Sequence, residues 1–166
     1  MRIVKLLLLA WLAVFVQSSL PGLLSVWGLL PDFISMVIGL TALTLGTGPG
    51  ILAGVMAGFL ADCYHPPTMG LFTLSGAVSG YWAGSLRERI YKDQLPSQLL
   101  IVALLTLVRQ SFEYWGRSGA GLGKYFQVLL RFGLGSALYT VLLGLLLLPY
   151  IKRFLPRNEK NKMRLV

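Results

Sequence analysis

The sequence predicts an all-α integral membrane protein, a bundle of six transmembrane helices, and composition is the first observation behind this prediction. Hydrophobic residues make up 55% of the 166 residues, charged residues only 13%, and the mean hydropathy is +0.71. Soluble domains carry charge on about a quarter of their residues, so a surface this poor in charge indicates contact with lipid. The second observation is a series of apolar runs, several of them close to the ~20 residues that a spanning helix needs.

The first apolar run predicts a span over residues 3–20, closed by a Pro-Gly pair. Basic residues before an apolar run, here Arg2 and Lys5, resemble the start of a signal peptide. Because further apolar runs follow along the chain, we expect this segment to be an uncleaved first span. Residues 23–30 are apolar but too few to cross the bilayer. We expect this segment at the membrane interface, with Trp27 at the depth of the headgroups.

The stretch 31–64 is too long for a single crossing, and the motif GTGP lies in its middle at positions 46–49. Glycine permits a turn, and proline is tolerated in the first turn of a helix. The motif therefore predicts two short spans, residues 31–45 and 48–64. If these two form a re-entrant pair instead, the chain has five spans rather than six.

Helix-breaking prolines and charged residues mark the boundaries of the third, fourth and fifth spans. The segment HPP at 65–67 ends the third span, because proline cannot donate a hydrogen bond within a helix. The fourth span covers residues 69–86 and stops at the charged string RER. The fifth begins after Pro96 and runs to about residue 112, and a polar, glycine-rich connector follows at 116–123.

The distribution of basic residues tests and orients the predicted spans. The sixth span covers 125–151, which divides the chain into a six-span transmembrane domain, 1–151, and a basic cytoplasmic tail, 152–166. Six spans place both termini on one side, which the positive-inside rule assigns to the cytoplasm. That side holds Arg2, Lys5, Arg87, Arg89, Lys92, Lys152, Arg153, Arg157, Lys160, Lys162 and Arg164, and the other keeps Arg109, Arg117, Lys124 and Arg131. With its charge of +9 placed this way, the chain is expected to meet lipid headgroups and no nucleic acid.

Two glycine stripes run along the third and fourth spans. Glycine recurs every four residues, at Gly46, Gly50, Gly54 and Gly58, and again at Gly76, Gly80 and Gly84. At this spacing each set forms a smooth helix face that lets another backbone approach closely. The stripes serve either packing inside the bundle, the interpretation that we favour, or an interface with another protein.

Two aspartates lie at the predicted outer ends of spans. A carboxylate in a membrane is costly unless it is paired or hydrated, which makes such residues functional candidates. Asp32 follows a proline in the first turn of its helix, where the macrodipole favours negative charge. Asp62 lies near a helix C-terminus, so we predict that it pairs with Arg109 or Arg131. Arg109 and Glu113 lie one turn apart on one helix face.

Catalytic and metal chemistry find little support in the sequence. His65 is the only histidine and Cys63 the only cysteine, so sites that need two imidazoles, an intramolecular disulfide or a cluster of cysteines are excluded. Asp62, Cys63 and His65 fall within four residues, but a structural zinc site usually draws on well-separated ligand pairs. We therefore expect a protein that is not an enzyme and holds no metal and no cofactor.

Several short motifs resemble a known family. PD at 31–32, GTGPG at 46–50, GFLAD at 58–62, PPTMGLFTL at 66–74 and GY at 80–81 are similar to motifs of the bacterial rod shape-determining MreD family. The resemblance covers most of the chain and is densest over residues 31–84. The positions that match are Pro31, Asp32, Gly58, Asp62, Pro67, Gly70 and Leu71.

The resemblance implies a non-enzymatic scaffold of the cell-elongation complex in the bacterial cytoplasmic membrane. Family members work beside the bitopic protein MreC and beside a polytopic glycosyltransferase with its transpeptidase partner. They are linked indirectly to the actin-like MreB filament. The resemblance also implies a fold similar to the substrate-binding subunits of energy-coupling-factor transporters, with a pocket among the helices.

A second hypothesis follows from that similarity of fold, namely a small-molecule-binding subunit of a vitamin-type transporter. Those subunits dock to their partner through small residues four apart on the first span. In this chain Ala10 and Ala13 are three apart, and no alanine or glycine pair at a spacing of four occurs in that span. The spacing favours the scaffold.

Overall fold

The computed structural model describes residues 2–19, 22, 25, 28–87, 95–118 and 132–154, and six α-helices lie in these ranges. They are α1 (Arg2–Ser19), α2 (Phe33–Leu45), α3 (Thr47–Tyr64), α4 (Leu71–Leu86), α5 (Leu95–Ser118) and α6 (Leu134–Phe154), and a 3-10 turn, Pro66–Thr68, precedes α4. No β-strand occurs in the described ranges, in agreement with the predicted all-α class. Among these same residues, no helix is both long enough and apolar enough to cross a membrane.

The first four helices begin and end within two residues of the predicted spans, whereas the last two differ. The predicted end of α5 near residue 112 is wrong, because the helix continues to Ser118 and enters the predicted connector. The apolar run ends there, but the helix continues through polar residues, and hydropathy marks only the apolar part of a helix. α6 likewise passes residue 151, since a helical backbone does not require apolar side chains.

Three of the predictions fall on parts of the chain outside the described ranges. They are the start of the sixth span at 125–131, the interfacial position of Trp27 and the basic tail beyond residue 154. The structure does not test these three, and they stay predictions.

The junction between α2 and α3 is a single residue, Gly46. Its backbone has φ +111°, a conformation that L side chains rarely adopt, and its N–H closes the end of α2 on the Ala42 carbonyl oxygen at 2.9 Å. Pro49 lies in the first turn of α3, as the sequence predicts. A Cβ on Gly46 would lie 2.8 Å from Nη1 of Arg87, so the end of α4 covers this turn.

The glycine stripes of α3 and α4 face each other. The helices run antiparallel, with Gly50 opposite Gly80, Gly54 opposite Gly76, and Gly58 opposite Phe72. A Cβ built on Gly54 would lie 2.0 Å from the Gly76 carbonyl oxygen, which leaves room for glycine alone. The stripes are therefore used for packing within the bundle, and Gly46 belongs to the turn rather than to the packed face.

α2 lies at the centre of the bundle and contacts each of the other five helices. Its sequence is apolar on all sides, and every residue from Ile34 to Leu43 is buried. A helix that is hydrophobic all round is stable only when it is surrounded. Thr44 satisfies its hydroxyl internally by donating to the Leu40 carbonyl oxygen at 2.7 Å.

The antiparallel helices define two ends of the molecule. One end, which we call the Asp62 end, holds the start of α2 and the end of α3. The other, the Gly46 end, holds the α2–α3 turn and Arg87. Large apolar side chains are exposed along the sides of the bundle between the two ends, among them Leu12, Phe59 and Leu142.

Candidate functional site

Asp32 begins α2 at the Asp62 end and is buried there. Its carboxylate accepts hydrogen bonds from the Ser35 backbone N–H at 3.0 Å and from the Ser35 hydroxyl at 2.5 Å. This is a helix cap, in which a side-chain oxygen satisfies a free N–H of the first turn. The sequence predicted only that the macrodipole favours the charge of Asp32 at this end of the helix. The Asp32 backbone N–H donates to Oγ1 of Thr140 at 2.9 Å, which ties the start of α2 to α6.

Arg109 of α5 forms the charged centre of the site with only 1% of its side chain exposed. Its Nη2 lies 2.8 Å from Oδ1 of Asp32, and its Nε donates to Oδ2 of Asp32 at 2.8 Å. Nη1 lies 2.8 Å from Oε1 of Glu113, whose side chain is 16% exposed. A planar guanidinium held on two carboxylates in this way is among the stronger charged contacts in proteins.

An aromatic ring lies against the same guanidinium. The Arg109 guanidinium carbon is 5.9 Å from the centroid of the Phe72 ring at the start of α4. This distance is within the range of a cation–π contact, which gains strength where water is excluded. Arg109 therefore joins α5 to α2 through an ion pair and to α4 through the ring.

Asp62 does not pair with Arg109, so the first of its two predicted partners is wrong. Its carboxylate accepts from the backbone N–H groups of Phe72 and Thr73, at 3.2 and 3.0 Å, and from the Thr73 hydroxyl at 2.5 Å. The N-cap position of α4 is Gly70, which has no side chain to offer. Asp62 supplies the missing cap from α3, where the positive end of the α4 macrodipole also favours its charge. Arg131, the other predicted partner, lies outside the described ranges.

A cleft of about 250 Å³ opens beside Arg109. Gln110 donates from Nε2 to the Ser136 hydroxyl at 2.6 Å, and Ser136 in turn donates to the Leu30 carbonyl oxygen. His65 also faces the cleft, with Nδ1 3.3 Å from the Ala61 carbonyl oxygen. The polar residues of the lining are Gln17, Ser18, Asp32, His65, Arg109, Gln110, Glu113, Tyr114 and Ser136.

Comparison with models of known protein families shows to which family the chain belongs. The family model described as rod shape-determining protein MreD matches residues 1–157. The chain belongs to the MreD family. This family consists of bacterial membrane proteins that determine rod shape and are not known as enzymes. No match was found among curated proteins or among solved structures.

The remaining positions that resemble MreD motifs lie around the site rather than in it. Pro31 lines the cleft immediately before Asp32. Pro67 forms part of the 3-10 turn, and Gly70 has φ +94° at the point where α4 begins before Leu71. Pro67 and Gly70 lie on the path by which the chain leaves α3 and enters α4, where the α4 N-terminus meets Asp62.

The sequence signals identified some members of the site and missed others. Glycine pairing could have identified the partner of Asp62: Gly58 lies opposite Phe72, so a carboxylate one turn further along α3 falls beside the start of α4. No local pattern predicts the bond between Asp32 and Arg109, which are 77 residues apart. Within the described ranges, no cluster of three His, Cys, Asp or Glu side chains could hold a metal ion.

Proposed function

We propose that the chain is a non-enzymatic scaffold of the cell-elongation complex in the bacterial cytoplasmic membrane. It binds a bitopic MreC-like protein and the polytopic glycosyltransferase and transpeptidase of wall synthesis, and through them connects to the actin-like MreB filament. The match of the MreD family model to residues 1–157 is the observation that carries this proposal.

The proposal includes a multi-pass topology with both termini in the cytoplasm. The apolar composition, the segregation of basic residues and the exposed apolar side chains along the helices support it. The Gly46 end, with Arg87, then faces the cytoplasm, and the Asp62 end faces outward. Because the glycine stripes are occupied inside the bundle, partners contact its outer helix faces.

Depletion of the protein tests the role in cell shape. In the bacterium that carries this gene, loss of the chain is expected to convert rods into round cells, and a plasmid copy is expected to restore rods. Cells that keep their length and width after the protein has disappeared from the membrane fraction would contradict the proposal.

Co-purification tests the partners. From a mild detergent extract, a tagged chain is expected to recover an MreC-like protein and wall-synthesis enzymes. The alternative, a small-molecule-binding subunit of a vitamin-type transporter, draws on the cleft beside Arg109. In that case the same extract yields a pair of ATPases and their membrane coupling subunit, and the scaffold proposal fails.

A further inference from the structure

The antiparallel pair of α3 and α4 has a register that shows which of its residues lie at the same height in the bundle. Gly50 of α3 lies opposite Gly80 of α4. Trp82, two residues further along α4, is therefore about level with Gly48 near the start of α3. Tyr64 is the last residue of α3, at the Asp62 end. The exposed surface of the pair can thus be measured from the level of Trp82 to Tyr64.

The exposed surface of this pair between its two ends is apolar. Leu52 and Phe59 of α3 and Leu74 of α4 are 45–55% exposed, although each is a large hydrophobic side chain. The two helices contain one charged residue, Asp62, and its side chain is buried. A surface without charge suits contact with hydrocarbon, where a charged side chain is costly.

Groups that favour the membrane interface lie at both ends of this surface. Tyr64 and Trp82 are each about half exposed, and such amphipathic rings are enriched at the level of the lipid headgroups. Arg87 follows Trp82 along the chain and is partly exposed, so its positive charge complements the phosphates of the headgroups. Backbone turns lie at both ends, at Gly46 and at Pro66–Thr68, and lipid-exposed turns do not occur within the hydrocarbon. Side chains and backbone therefore bound the apolar surface together.

The height of this surface follows from the rise of an α-helix. Tyr64 lies sixteen residues past Gly48, which gives about 24 Å at ~1.5 Å per residue. α4 itself has 16 residues and therefore the same length. Any tilt of the two helices lowers the height that they cover. The hydrocarbon of a typical bilayer is about 30 Å thick, so the surface is shorter than the hydrocarbon by about 6 Å.

We propose that the α3–α4 side of the bundle is fitted to a thin bilayer and gathers phospholipids with short acyl chains around it. The inference rests on the multi-pass topology of the proposed function and adds the kind of lipid that this surface binds. A mismatch between protein and hydrocarbon has a cost that grows with each ångström, and the bilayer lowers this cost by thinning next to the protein. α5 and α6 are longer, at 24 and 21 residues, so the inference concerns the α3–α4 side alone.

The melting temperature of the purified chain in phosphatidylcholine nanodiscs tests the preference for thin bilayers. The lipids carry monounsaturated acyl chains of increasing length, from myristoleoyl through palmitoleoyl and oleoyl to erucoyl. The highest melting temperature is expected in myristoleoyl or palmitoleoyl lipid, with a steady fall toward erucoyl lipid. A maximum in oleoyl or longer lipid, or a melting temperature that does not depend on chain length, would overturn the proposal.

A variant that lengthens the apolar surface tests whether α4 sets the preference. Ser85 is exposed three residues past Trp82 toward the Gly46 end, so Ser85→Leu adds about 4.5 Å of apolar height. Its stability maximum is expected to move to the next longer lipid of the series. Leu74→Met is the matched control, since it exchanges one exposed apolar side chain for another between the two ends, and its maximum is expected to stay in place. Circular dichroism checks that both variants fold, and identical maxima would contradict the assignment to α4.

The depth of Trp82 separates this inference from the topology on which it rests. A triple variant, Trp11→Phe, Trp27→Phe and Trp115→Phe, keeps one tryptophan. The fluorescence of that tryptophan, Trp82, is expected to be quenched more strongly by lipids brominated near the headgroup than by lipids brominated near the end of the acyl chain. The reverse order would overturn the inference and leave the multi-pass topology intact. No quenching by either lipid would overturn the topology and the inference with it.

Discussion

Arg109 carries its charge in the interior of the bundle, where an unpaired charge is too costly to persist. The bidentate contact with Asp32 and the ion pair with Glu113 compensate for the loss of water around the guanidinium. The same contacts join α5 to the start of α2. The stability of this end therefore depends on all three charges together rather than on Arg109 alone.

Arg109→Met is expected to lower the free energy of unfolding by about 3–5 kcal/mol, because it leaves the carboxylates of Asp32 and Glu113 without their cation. Unfolding in mixed detergent micelles measures the change. Leu104→Met on the exposed face of α5 is the control and is expected to change the free energy by about 0.5 kcal/mol or less. Adding Asp32→Asn to Arg109→Met is expected to recover part of the loss. Equal stability of Arg109→Met and the control would contradict the pairing.

Asp62 stabilises the start of α4 from a neighbouring helix, so Asp62→Ala is expected to cost about 1–2 kcal/mol, in the range of a lost cap. Hydrogen exchange of the Phe72 and Thr73 amides is expected to accelerate, since both lose their acceptor. Cys63→Ala, at an exposed neighbour, is the control. Unchanged exchange at these two amides would show that Asp62 is not the cap.

The pair α3 and α4 is held by contact between backbones rather than between interlocking side chains. In lipid, helices gain little from burying apolar side chains, so close van der Waals packing through small residues becomes the main attraction. Glycines at four-residue spacing on both helices allow this approach over Gly50–Gly80 and Gly54–Gly76. The two helices thus behave as one unit against which α2 packs.

Gly54→Ala and Gly48→Ala form a matched pair on α3. Alanine favours a helix interior over glycine by about 1 kcal/mol, but at Gly54 the new Cβ would meet the backbone of the neighbouring helix, with the Gly76 carbonyl oxygen at 2.0 Å. Gly54→Ala is expected to lower the unfolding free energy by about 1–3 kcal/mol. A Cβ on Gly48 would meet no atom within 4 Å outside its own helix and its chain neighbours, so this variant is expected to lose less stability than Gly54→Ala. Thermal unfolding of both variants measures the difference. Equal melting temperatures would rule out the close packing of α3 against α4 at Gly54.

The molecule as a whole separates its charged groups between two ends. The Asp62 end gathers Asp32, Asp62, Arg109 and Glu113, while Arg87 lies at the Gly46 end. This separation matches the proposed orientation, in which the glycine turn faces the cytoplasm. The exposed cysteine at one end makes the orientation directly testable.

Cys63 is expected to react with a membrane-impermeant maleimide in intact spheroplasts, because it is exposed at the proposed outer end. The control is Ser85→Cys in a Cys63→Ser background, since Ser85 is exposed near the Gly46 end. That variant is expected to label only after the membrane is permeabilised. Gel shift or mass spectrometry reads out the labelling, and the reverse pattern would invert the proposed topology.

Some parts of the fold could be predicted because their causes are local. Gly46 and Pro49 determine a turn within a few residues, and the stripes on α3 and α4 are visible as a four-residue repeat. The end of α5 could not be predicted in the same way. The apolar run stops near residue 112, but the helix continues through polar residues to Ser118, and hydropathy marks only the apolar part of a helix.

The sequence by itself determined the all-α class, the boundaries of the first four helices and the two glycine faces, and its motifs indicated the MreD family. Hydropathy, helix-breaking residues and periodicity act over a few neighbouring residues, so they can be read along the chain. Only the tertiary structure decided that Arg109 binds Asp32 while Asp62 caps α4. A carboxylate bonds to whichever donor the packing brings within about 3 Å, and for Asp62 these donors are the free N–H groups at the start of a neighbouring helix rather than an arginine of the described ranges.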